Sequence, residues 1–125
     1  MFAELLDRVL QGTPGAVGVT LMGFDGIAID SRSDPLWGSE PGDVSLQAAA
    51  IELGQVASQL KDIAASLNSG DVQEISVQTG ALTTVLRPIT PEYFIALSLK
   101  PGANLGKGRY LMRVVSPKLV AELEA

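Results

Sequence analysis

The spacing of apolar residues along the chain marks out eight stretches of regular structure. Phe2, Leu5, Leu6, Val9 and Leu10 recur at i, i+3, i+4, i+7 and i+8, so residues Phe2–Gln11 read as a short helix with one apolar face. Gly12-Thr13-Pro14-Gly15 ends it, because glycine and proline both interrupt helices. Ala16–Met22 is rich in small and β-branched residues and reads as a strand. Gly23-Phe24-Asp25-Gly26 follows, and Asp-Gly between apolar runs marks a tight hairpin, since that turn needs positive φ. Ile27, Ala28 and Ile29 begin the return strand. Ser31–Gly42 reads as a loop, holding Pro35, Gly38, Pro41, Gly42 and the single tryptophan, Trp37.

The next stretch carries the most informative pattern. Asp43 is the expected N-cap, and residues Val44–Asn68 read as one helix about 38 Å long at roughly 1.5 Å per residue. Leu46, Leu53, Leu60 and Leu67 recur every seven residues. Ala49, Val56 and Ile63 sit three residues after the first three leucines, and Ala50, Ala57 and Ala64 one further on. The long leucines are expected to fill a core against a sheet. The short alanine row is expected to flank them and let a neighbouring backbone approach. In a two-fold homodimer that neighbour is the symmetry mate; the alternative is that alanine is simply a good helix former. Gly54, at mid-helix, costs about 1 kcal/mol relative to alanine, and the pattern does not explain it. Asn68-Ser69-Gly70 closes the helix, with Gly70 expected at C′.

Three strand-like runs come next. Val72–Gln78 places Ile75 and Val77 on one face; Ala81–Arg87 is closed by Pro88 and Pro91; Tyr93–Leu99 is nearly all apolar, as for a central strand covered on both faces. Leu105–Glu124 reads as the last helix, where Pro117 is expected to kink the element or restart it with Ser116 as cap. Short connections between strands imply antiparallel pairing. The order α-ββ-α-βββ-α predicts an α+β fold, one domain over residues 1–125, with one sheet and helices on both its faces.

Composition narrows the function. The chain is 46% hydrophobic and 18% charged over 125 residues, an apolar mix for so short a chain. Small domains have much surface for their volume, so that mix implies either a well-filled core or a face covered by another subunit. The net charge of −5 disfavours nucleic-acid binding by bulk attraction to phosphates. Charge is uneven: residues 1–75 hold 11 acids and 3 bases, residues 76–125 hold 3 acids and 6 bases, and such a dipole can orient a partner. With no cysteine, disulfides and thiolate chemistry are excluded, and with no histidine the commonest general base and metal ligand are missing. No signal peptide and no membrane span are visible, so a cytoplasmic location is expected. No catalytic residue, metal or cofactor is indicated.

Three local features bear on binding. Gly102-Ala-Asn-Leu-Gly-Lys-Gly108 has too short a spacing for a phosphate loop and puts Gly108 where a magnesium-binding hydroxyl belongs, so Gly106 and Gly108 are expected instead to let a helix start pack tightly. Trp37 is either a partner anchor or a lid over the core edge. Arg109 and Arg113, at i and i+4 with Lys107 nearby, either meet an acidic partner patch or form a solvated face. Asp25 and Asp43 are assigned to a turn and a cap, which leaves little for paired-carboxylate chemistry.

The element order, together with Val19-Thr-Leu-Met-Gly-Phe-Asp-Gly-Ile27, the long central helix and Asn104-Leu-Gly-Lys-Gly-Arg-Tyr110, resembles the roadblock/LC7 (LAMTOR-like, profilin-like) family, and within it the bacterial MglB/MglC type. The resemblance spans nearly the whole chain. It implies a five-stranded antiparallel sheet and a homodimer or heterodimer formed through the central helices and the third strands. With the alanine row, this gives an expected dimer interface of Ala50, Leu53, Ala57, Leu60, Ala64, Ile75 and Val77, and partner-binding candidates Trp37, Arg109 and Arg113. It further implies partnership with a small Ras-like (MglA-type) GTPase, a second roadblock protein or a response regulator. MglB-type members activate GTP hydrolysis and commonly carry a longer C-terminal segment; the ending at Ala125 favours an MglC-like, non-enzymatic adaptor. The rival readings are an MglB-type co-regulator, a small-ligand sensor and a motor light chain.

Overall fold

The strand Tyr93–Leu99 lies at the centre of the sheet, as expected of its nearly all-apolar run. The computed structural model describes residues 2–125. Its elements are α1 Phe2–Gly12, β1 Ala16–Gly23, β2 Ala28–Ser33, α2 Leu46–Ser66, β3 Ile75–Gln78, β4 Thr83–Pro88, β5 Tyr93–Leu99 and α3 Leu105–Glu124. The sheet runs β2-β1-β5-β4-β3, with every neighbouring pair antiparallel. Alternation along each strand divides the core in two. Val19, Leu21, Val85, Ile95, Leu97 and Leu99 face α1 and α3, where Leu6, Val9, Leu111, Met112, Val115 and Leu119 meet them. Met22, Leu86, Phe94 and Ala96 face α2.

The β1–β2 turn forms as its residues dictate. Gly26 takes φ +88°, and the Ile27 N–H donates to Asp25 Oδ1 at 3.0 Å. On the α1/α3 side the start of α3 approaches β5 closely. A Cβ on Gly108 would lie 2.7 Å from Leu97 Cδ2 and 3.2 Å from Thr13 Cγ2, so this glycine permits the contact. Gly106 is exposed and has no such role.

Four local expectations are corrected. α2 begins at Leu46 under Ser45, whose Oγ accepts from the Ala48 N–H at 3.2 Å; Asp43 instead accepts from the Gly38 and Glu40 N–H groups and braces the loop. The helix ends at Ser66, and Asn68, at φ 52°, takes the left-handed position expected of Gly70. The Asn68 and Ser69 N–H groups turn back to the Ala65 and Ala64 carbonyls. β3 spans Ile75–Gln78 alone, not Val72–Gln78. α3 runs through Pro117 as one element, and Ser116 caps nothing: its hydroxyl donates to the Met112 carbonyl at 2.5 Å.

The largest correction concerns α2. Small residues, not the leucine row, sit deepest against the sheet: Ala50, Gly54 and Ala57 are its buried positions, while Leu46 and Leu53 meet the sheet only at the margin, at Gly18 and beside the α2-side core. A Cβ on Gly54 would sit 2.9 Å from Phe94 Cε2, so the glycine left unexplained by the heptad makes room for that ring. Phe94 is fully buried and stacks tilted on Phe24 at 5.0 Å, which limits its retreat. Gly54→Val is therefore expected to destabilise the fold by about 1–3 kcal/mol, the usual cost of overpacking, despite valine's better helix propensity. Urea denaturation checks this; an unchanged or higher midpoint rules out the close approach.

Candidate dimer and partner surfaces

Because the small row occupies the sheet-facing side of α2, the larger apolar residues point elsewhere. At about 100° per residue, Leu53, Leu60, Ala64 and Leu67 lie about 50–110° to one side of the buried row, and Val56 and Ile63 about 130–150°. Val56, Ile63 and Leu67 are 45%, 53% and 69% exposed. The opposite flank, with Ile51 and Gln55, faces Phe24 in the β1–β2 turn. The leucine flank therefore looks toward β4 and the β3 edge. Leu53 and Ile75 both pack against the α2-side core, and Ala64 lines a groove with Val72 and Pro88. Val77, on the same face of β3 as Ile75, is 38% exposed.

Of the residues expected at a dimer interface, Ala50 and Ala57 are thus buried against their own sheet and offer no surface. The heptad showed two adjacent apolar rows but not which of them turned inward. Leu53, Leu60, Ala64 and Ile75 are half-buried and Val77 is exposed. Val56, Ile63 and Leu67 extend this surface and were missed, although their place in the heptad was visible.

The two sheet edges differ. Outside β2, Arg32 Nε donates to Asp7 Oδ1 of α1 at 2.8 Å. That hydrogen bond, then the charges of Asp7 and Asp30, raise the guanidinium pKa above its ordinary value. β1 and β2 also slip register between Leu21 and Met22. A charged pair and a bulge both discourage further strand addition. The β3 edge carries only Ser76 and Gln78 beside the two apolar residues.

The cavities give little support to a ligand sensor. A hollow of about 200 Å³ under the start of α2 is lined by Thr20, Ser31, Ser33 and Ser98. Three of its four hydroxyls already pair, Thr20 with Ser31 at 2.7 Å and Ser98 with Thr84 at 3.2 Å. Among the described residues no cluster of three His, Cys, Asp or Glu could hold a metal, and no helix is long and apolar enough to cross a membrane.

No family model matches the chain, and no curated protein matches it in sequence. Solved structures do. A roadblock/LC7 domain from Streptomyces avermitilis superposes with TM-score 0.81 at 15% identity, over 98% of this chain and 97% of that one. The gliding protein MglB from Thermus thermophilus gives TM-score 0.75 at 22% identity, over 91% of this chain and 82% of that one. MglC from Myxococcus xanthus is 37% identical over 97% of this chain and 98% of its own, with TM-score 0.66. The chain belongs to the roadblock/LC7 family. Within it, the sequence is of the MglC type. The roadblock order α-ββ-α-βββ-α and the five-stranded antiparallel sheet are those expected from the resemblance.

The candidate partner residues of this roadblock chain fall in three settings. Trp37 is half-buried and folds back, its Nε1–H donating to the Val44 carbonyl at 2.9 Å. Arg109 Nε donates to Glu74 at 3.0 and 3.1 Å, tying α3 to the residue before β3. Arg113 is exposed. Trp37→Ala is expected to loosen the loop ahead of α2 and raise the rate of proteolytic nicking between residues 34 and 45. Limited proteolysis followed by mass spectrometry reads this; an unchanged cleavage rate there contradicts a bracing role.

Proposed function

We propose that this MglC-type roadblock protein is a homodimeric, non-enzymatic adaptor in a gliding or polarity pathway run by a small Ras-like GTPase of the MglA type. It works in the cytoplasm, binding the GTPase, a second roadblock protein or a response regulator. The observation that carries the reading is the apolar flank of α2 lying beside an unguarded β3 edge. Val56, Ile63 and Leu67 leave a large apolar strip in water, next to backbone groups with no strand to pair with. A two-fold mate covers both at once, helix on helix and strand on strand, since a self-complementary surface is what a homodimer requires. Complete burial of a Val, Leu or Ile side chain is worth about 1.5–3 kcal/mol, and covering these part-exposed ones recovers roughly half of that each. The kinship with MglC and the expected absence of catalytic groups support a binding role rather than turnover.

Val56→Glu together with Ile63→Glu is expected to weaken pairing by about 100-fold or more, as charges at a desolvated interface centre do. Light scattering should show the wild type at twice 13.1 kDa and the double variant as a folded single subunit. Ala57→Glu is not a fair test of pairing, because it forces a charge under α2 and reads out folding instead. The adaptor role is tested by capture on a Ras-like GTPase held with a non-hydrolysable GTP analogue, and on a second roadblock protein from the same genome. A wild type that stays a single subunit at high concentration, or captures neither protein, sinks the reading.

A further inference from the structure

We draw no further inference here: the strongest candidate, the apolar surface patch of Ile27 and Ile29 at the start of β2, on the sheet edge away from β3, is left in water and nothing in the structure shows what covers it.

Discussion

The fold depends on how closely α2 can lie on the sheet. Its contact row is Ala50, Gly54 and Ala57, and the Phe94 ring fills the space that larger side chains would have taken. Phe94 is held from the other side by Phe24. Lys61, one turn beyond Ala57, sets its ammonium 3.8 Å above the Phe24 ring and donates to the Pro91 carbonyl at 2.9 Å. Helix, ring pair and both turns at that end of the sheet are thereby clamped together. A helix seated this low leaves its leucines only the margins of the sheet: Leu46 meets Gly18 and Leu53 the edge of the α2-side core. The rest go to the flank, and much of the apolar arc of α2 becomes a property of the surface instead of the core.

The two faces of the sheet consequently do different work. The α1/α3 side carries the larger core, with twelve buried residues against six on the α2 side. It is locked by Thr13, whose hydroxyl donates to the Val9 carbonyl at 2.7 Å, and by the fit of Gly108 against Leu97. Its outer surface is free to be charged. The α2 side is thin and leaves apolar groups beside an open edge. A β-bulge and an ion pair on the strand itself at the β2 edge, against a β3 edge whose own residues carry no charge, give the molecule a direction in which to grow.

Much of this was legible in the chain, and the misses have physical causes. The helix and strand periods located all eight elements, and the apolar run at Phe94–Leu97 identified the central strand. The cap was misplaced because Asp43 and Ser45 are both good N-caps, and only the loop's own need for an acceptor at Gly38 and Glu40 separates them. The inward row of α2 was misread because adjacent alanine and leucine rows are both apolar. Gly54 was the available signal: it lies four residues after Ala50 and three before Ala57, in the alanine row, where a missing side chain means close approach. Pro117 did not break α3, because a helix packed along its length loses one backbone bond there and keeps the rest of its contacts.

The proposed pairing along α2 and β3 is apolar and therefore nearly indifferent to salt, which screens exposed charges within about 10 Å at 0.1 M. A two-fold dimer displays each remaining surface twice. A partner with two matching segments at the right separation then binds the second as an intramolecular step, and its avidity exceeds either contact taken alone. Pairing on this reading supplies more than burial of an apolar strip: it turns one weak contact into a bivalent one, whose grip is lost when the dimer separates.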